Sequence, residues 1–241
     1  MYNYKKYFIQ YNNMTNLDYN IHIAYLPPKP SPTMQYEEVL VPGASKALYR
    51  EIGYAPIEIA VEFHFISKRV YLWDKDFRKA KHWLLDNENK ILKFCDDLEG
   101  FYKVNKVTIQ SPTRELKKLG KFIAIFTCDP HFYLDCDEQE IITGQTIHNP
   151  YEVSRPIYRI TGNGELTLTI NNKPIKVNVG QEVKIDTELG LTYRDGQINN
   201  VSLTGNYEDL YLQEGENTFT LTPTDPQQAF QVFVTPNWRC L

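Results

Sequence analysis

The sequence has no run approaching the roughly 18 consecutive apolar residues that a membrane-spanning helix requires, so no spanning helix is expected. Its opening, Met1-Tyr2-Asn3-Tyr4-Lys5-Lys6-Tyr7-Phe8, places no apolar segment behind the two lysines. The expected compartment is therefore the cytoplasm rather than the secretory route. The four cysteines, Cys95, Cys128, Cys136 and Cys240, show no C-x-x-C spacing. In a reducing compartment such residues are free thiols. There is no basic excess either. The formal charge is −4 and the pI about 5.8, which removes the electrostatic drive for general nucleic-acid binding.

Motifs that carry chemistry are missing too. No G-x-S-x-G occurs, and Gly43-Ala44-Ser45 lacks the second glycine of a nucleophile elbow. No G-x-x-x-x-G-K-[ST] loop is present. Gly162-Asn163-Gly164 is half a dinucleotide fingerprint, but no helix pattern follows it, so it reads as a turn. Cys128, His131 and Cys136, with Asp135 adjacent, give one C-x2-H-x4-C group. Structural zinc needs four ligands in two suitably spaced pairs, and the second pair is absent. A buried cysteine before an Asp-Pro turn is the reading that remains. Asp96, Asp97 and Glu99 lack calcium-loop spacing, and no partner carboxyl for glycoside hydrolysis is evident. They read as the acidic tip of a hairpin. His22, His64, His82, His131 and His148 are scattered, and Lys117, Lys118 and Lys121 fit a solvated loop. The expected set of catalytic, cofactor-binding and metal-ligating residues is empty, and no cofactor is expected.

What is present favours strands. Aromatics reach 13%, with 17 Tyr and 12 Phe, residues suited to half-buried pleated surfaces. Residues 57–66 alternate Ile57, Ile59, Val61, Phe63 and Phe65 against Glu58, Ala60, Glu62 and His64, the period of two that marks a strand. Residues 5–11 and 19–26 read as strands around a turn. Pro27, Pro28, Pro30 and Pro32 force an extended connector, a rigid surface arm rather than a PxxP ligand. A second arm runs through Val39-Leu40-Val41 to the turn pair Pro42-Gly43 and returns by Leu48-Tyr49-Arg50. One helix is expected, with Asp74 as N-cap and Trp73, Phe77, Ala80 and Leu84 on one face. Arg78, Lys79 and His82 should point away. Lys90–Phe94, a turn at 96–100, and 101–110 follow. Lys121–Thr127 is apolar on both faces and reads as a covered central strand.

From about residue 156 the texture changes. Leu166, Leu168 and Ile170, a turn at Asn171-Asn172, and then Ile175, Val177 and Val179 form an alternating hairpin. Val183/Ile185, Phe219/Leu221 and Phe230/Val232/Val234 continue the pattern, which argues for a β-sandwich. A boundary is expected between Asp135 and Pro156, with Gly144, Asn149 and Pro150 breaking regular structure. The expectation is mainly β: residues 1–145, β-rich with one helix and extended arms, then residues 146–241, a sandwich.

The order of segments resembles the distal tail proteins of long-tailed phages. Val41-Pro42-Gly43, Leu48-Tyr49-Arg50, Gly53-Tyr54, the strand 57–66, the helix, Phe94-Cys95-Asp96-Asp97, Tyr102-Lys103-Val104 and Phe126-Thr127-Cys128-Asp129-Pro130 are similar to the N-terminal domain of that family. Asn149-Pro150, Pro156-Ile157, Gly162-Asn163-Gly164, Leu168-Thr169-Ile170-Asn171, Gly205, Leu212, Gly215-Glu216-Asn217 and Asn237-Trp238-Arg239 are similar to the C-terminal one. The turn Ala44-Ser45-Lys46-Ala47 and Glu208 depart from the pattern, and no long insertion interrupts the second domain.

The resemblance implies a non-enzymatic structural protein of the virion tail tip. Its N-terminal domain would form a homo-hexameric ring between the major tail tube protein and a tail-associated lysin-like hub protein. Tape measure and receptor-binding proteins would be further partners, and DNA would only pass through the ring as cargo. The C-terminal domain would be galectin-like. The competing reading is a carbohydrate-binding sandwich of the adhesin kind. Against it, Tyr193, Tyr207 and Tyr211 lie in turn-rich segments with no matching polar cluster on one strand, and Trp238 is better placed to cap a core. The second domain is thus expected to dock other tail proteins rather than sugar.

Overall fold

The structure is a computed structural model describing residues 7–40, 42, 46–86 and 88–241. Strands dominate, and one α-helix, Trp73–Leu85, occurs among the described residues. The chain divides into two compact units, Met1–Phe132 with Leu241, and Tyr133–Cys240. This division falls ahead of the expected 145/146 boundary. The intervening segment is not a linker, because Gln139–Ile141 pairs with Gln231–Thr235 and Thr146–Asn149 pairs with Gly215–Pro223. Gly144 sits between two strands, and Asn149 ends the second of them rather than breaking it.

The first unit is built on one antiparallel sheet. Its order runs Ile9–Tyr11, Ile91–Phe94, Asp97–Ile109, Leu119–Leu134, Ile57–Ile66 and Ile21–Ile23. In Ile57–Ile66 the odd-numbered residues from Ile57 to Phe65 are buried, as the alternation requires. They meet an equivalent row, Phe63 opposite Phe122, Val61 opposite Ala124 and Ile59 opposite Phe126. The helix covers this face. Trp73, Phe77, Ala80 and Leu84 are buried, and Trp83 joins them, its indole N–H donating to the Tyr11 carbonyl at 2.9 Å. Phe77 meets Phe122 edge-on at 5.3 Å between ring centroids.

Four local expectations need correction. The helix begins at Trp73 after a 3-10 turn, Val70–Leu72, so Asp74 lies in its first turn and not at the cap. The carboxylate there faces the positive end of the helix dipole. Leu119–Leu134 is covered on one face only. Phe122, Ala124 and Phe126 are buried while Ile123 and Ile125 are half-buried, because the helix packs on a single side. The expected turn at 96–100 shrinks to Cys95-Asp96, since the strand starts at Asp97 and pairs it with Phe94. The segment between the first strands contains a 3-10 turn, Asn16–Tyr19. Buried Asn16 organises it, accepting the Ile9 N–H at 2.9 Å and donating to the Ile21 carbonyl at 2.8 Å. Lys5 and Lys6, at the expected start of the first strand, lie outside the described residues, as do Val41 and Gly43–Ser45.

The second unit is organised by one long hairpin. Ile157–Ile170 and Lys173–Asp186 pair along their whole length. The turn is Asn171-Asn172, at φ +49° and +66°, the left-handed pair that a two-residue turn demands. Midway, the backbone bends at Gly162 (φ +148°), where a Cβ would stand 2.5 Å from the Phe230 ring and 2.9 Å from the Ala229 carbonyl. On one side of the bend, 157–161 pairs with Gln231–Thr235; on the other, 166–170 pairs with Gly215–Pro223. One hairpin thus feeds both halves of a curled β structure. The enclosed core includes Tyr158, Leu168, Val177, Ile185, Phe219 and Val232, with Trp238 packed at its margin. Fully buried Asn217 closes the connection before its strand: its amide donates to the carbonyls of Gln213 (2.8 Å) and Gly215 (3.1 Å), and its oxygen accepts the Gln213 N–H.

Candidate functional site

The sequence departs from core-building alternation at Met34–Val39 and Leu48–Tyr54. These strands pair only with each other, outside both larger sheets. Tyr36 lies opposite Glu51, Glu37 opposite Arg50, Glu38 opposite Tyr49 and Val39 opposite Leu48. Opposed residues share a face. One face therefore carries Tyr36, Glu38, Tyr49 and Glu51; the other carries Glu37, Val39, Leu48 and Arg50, with Ile52 two residues further on. Neither face is covered by the other described residues. Tyr36 is 55% exposed, Leu48 61%, Ile52 65% and Tyr49 67%, and Leu40 beyond the strand reaches 76%. An isolated two-stranded hairpin is marginal in water, and apolar groups gathered in this way mark a contact surface. The Ala55 N–H donates to the Thr33 carbonyl at 2.8 Å and closes the hairpin's base.

The Pro-rich arm before it is clamped. Pro27 is buried, and the Lys29 ammonium reaches Asp96 at 3.2 Å and lies 5.2 Å from the Phe94 ring centre. Asp96 therefore holds the arm down. This clamp was not visible in the sequence, because Lys29 and Asp96 are distant along the chain.

The other residues weighed for chemistry fall apart in space or in protonation. Cys128 is fully buried, and burial, helped by the Asp129 charge, pushes its thiol up to about 12, away from the thiolate a metal needs. Burial also raises the Cys136 thiol, which donates to the Leu134 carbonyl at 3.3 Å. Among the described residues no three His, Cys, Asp or Glu side chains gather as metal ligands. Asp97 and Glu99 are strand residues. Lys121 pairs with Glu62 and, at 4.0 Å, with Glu115. His148 bonds Glu216 at 2.9 Å on the surface. Gly162–Gly164 lies within the bent strand of the second unit.

The sequence matches no known family model and no curated protein. Solved structures, by contrast, share its fold. The mainly β fold, with one helix and curled sheets, is similar to that of phage hub and baseplate proteins. The Dit (gp 19.1) protein of SPP1, described as a paradigm of the hub adsorption apparatus in phages infecting Gram-positive bacteria, aligns over 98% of this chain and 100% of its own. The TM-score is 0.68 at 14% identity. A chain of the phage P2 baseplate, in its activated conformation with Ca, aligns over 98% of both chains with a TM-score of 0.50 at 9% identity. At these identities the likeness is one of fold.

Proposed function

We propose that this chain is a non-enzymatic ring subunit of a phage tail tip, six copies of which join the tail tube to the hub of the adsorption apparatus. The observation that carries the reading is the detached hairpin, with apolar side chains on both faces and no cover from the other described residues. A closed ring is made by head-to-tail contacts between unlike patches, and a projecting hairpin seated on a neighbouring copy supplies one such patch. A stable contact of this kind buries at least about 1,000 Å² in total. The partners in this reading are a major tail tube protein on one side and a tail-associated lysin-like hub protein on the other. Tape measure and receptor-binding proteins are further neighbours, and DNA passes through as cargo. The first unit is the ring-forming part, and the second is a galectin-like sandwich.

The test is the mass of the full chain by light scattering, alone and with the tube protein, followed by imaging of the assembled tip. A ring of six times the 28.2 kDa chain mass is expected. A tip ring of any other symmetry refutes the reading.

A further inference from the structure

We infer that a groove at the far end of the first unit's sheet receives the detached hairpin of a neighbouring copy, through the hairpin face that carries Tyr36, Glu38, Tyr49 and Glu51. The inference rests on the ring reading and names the surface which that reading requires. Ile57–Ile66 sets the geometry. The hairpin ends at Tyr54, just before this strand begins, and Ile66 and Lys68 at its other end line the groove. The strand has 10 residues, which separate its two ends by about 30 Å. Hairpin and groove are therefore unlike patches at opposite ends of one element, the arrangement that head-to-tail assembly needs.

The groove has a volume of about 630 Å³. It lies where the 3-10 turn Asn16–Tyr19, the end of Ile57–Ile66 and the first turns of the helix meet. Tyr19, Ile66 and Leu72 give it apolar walls, and two acids and two lysines line it as well. Both acids are already engaged. The Asp18 carboxylate accepts the Thr15 N–H and hydroxyl at 2.8 Å each, and Asp76 accepts the Ser67 hydroxyl at 2.7 Å. The lysines, Lys68 and Lys79, are exposed and make no hydrogen bond or ion pair among the described residues. Residues 66–79 as a whole hold five basic side chains against two acidic ones. On the turn between Lys68 and Leu72, Val70 and Tyr71 also stand in water.

The chosen hairpin face complements this surface. Tyr36 lies opposite Glu51 and Glu38 opposite Tyr49, so rings and carboxylates alternate across it with no base among them. Arg50 belongs to the other face, and Lys46 lies between the strands, outside their pairing. The two carboxylates are diagonal neighbours, about 7–8 Å apart at their strand positions. Neither makes an ion pair among the described residues. Two unpaired glutamates beside exposed rings thus meet two unpaired lysines beside exposed apolar groups. The rings supply apolar area, and the charges fix the register and reject an acidic surface, since like-charge contact is costly.

The test is charge reversal in the full chain, with assembly read by light scattering over a range of concentrations. A hairpin variant, Glu38→Lys with Glu51→Lys, and a groove variant, Lys68→Glu with Lys79→Glu, should each raise the concentration needed for assembly roughly ten- to hundred-fold. Their melting temperatures should match the parent's. Net charge does not account for the first loss, because the hairpin variant is nearer neutrality than the parent at −4. Glu38→Gln with Glu51→Gln, which keeps the side-chain shape, should fall between parent and reversal. An equal mixture of the two reversed variants should assemble as the parent does, because alternating copies restore every hairpin–groove pair. The inference alone is overturned if the parent forms its ring and the groove variant assembles equally well, or if the mixture gains nothing over the separate variants. A groove variant that assembles normally but no longer binds the tube protein overturns it too, and assigns the groove to that partner. A parent that stays a monomer at every concentration, with the tube protein present, refutes the ring reading and this inference together.

Discussion

Replacing Leu48 and Ile52 together by Asp should dissolve the ring and leave the monomer standing. Both side chains lie on one face of the detached hairpin, at 61% and 65% exposure. Burying a whole leucine or isoleucine is worth about 1.5–3 kcal/mol, so the part still exposed holds about 1–2 kcal/mol per residue. Removing both costs roughly 2–4 kcal/mol at each contact, or about 30- to 1,000-fold in affinity. Burying two new carboxylates without partners would add to this loss. Folding of the isolated chain should barely change, since surface substitutions usually stay within about 0.5 kcal/mol. The assay is light scattering over a range of concentrations, paired with chemical denaturation of dilute protein. If the double variant assembles at the concentration where the parent does, the hairpin is not the contact. If the dilute variant loses stability on the scale of a core truncation, the hairpin is packed in the monomer and the reasoning fails.

The remaining predictions concern the fold and its thiols. Leu84→Ala should cost about 2–5 kcal/mol in denaturant unfolding, as buried truncations do, while Arg78→Ala on the exposed side of the same helix should be near neutral; equal losses would reassign the helix face. Gly120→Ala should destabilise by roughly 1–3 kcal/mol through overpacking, because a Cβ there would stand 2.4 Å from the Phe65 ring and 2.8 Å from the Trp73 indole nitrogen. No disulfide joins the four cysteines, so melts with and without reductant should coincide, and alkylation near pH 8 should spare native Cys128, whose thiol is held near 12. The Asp18 carboxyl is lowered by hydrogen bonds from the Thr15 backbone and hydroxyl. Its contribution is therefore full above the unfolded value of about 3.9 and is lost as pH falls through the lower folded value. The group is exposed, so the gap between parent and Asp18→Ala in urea titrations should stay below about 1 kcal/mol and narrow under pH 4.

Alternation was the most legible feature. In 57–66 and in the 166–179 hairpin, every second residue is apolar, and those are the residues the two cores bury. The helix stripe was legible for the same reason, but Trp83 was missed because it lies beside Leu84 and off the strict spacing. It was recruited by the Tyr11 carbonyl, a partner 72 positions away. Long-range pairing also hid the role of residues 139–149, whose strands exist only because 215–223 and 231–235 offer their backbones.

The hairpin illustrates a different limit, and it bears on the ring. Sequence alternation tells which face of a strand seeks cover, but not where the cover comes from. A strand covered on one side by its own chain separates apolar from charged residues by face, as 57–66 does. Met34–Val39 does not: Tyr36 and Val39 fall on opposite faces, and a glutamate accompanies each. Leu48–Tyr54 repeats this with Tyr49 against Leu48 and Ile52. Such a pattern stabilises nothing within a monomer, where every one of these apolar groups remains in water. It becomes favourable only if two surfaces of mixed character close over the hairpin from both sides, with partners for Glu37, Glu38, Arg50 and Glu51 at the rims. The proposed head-to-tail ring would meet that requirement without any further protein, because each copy would bring both the hairpin and a surface to receive it.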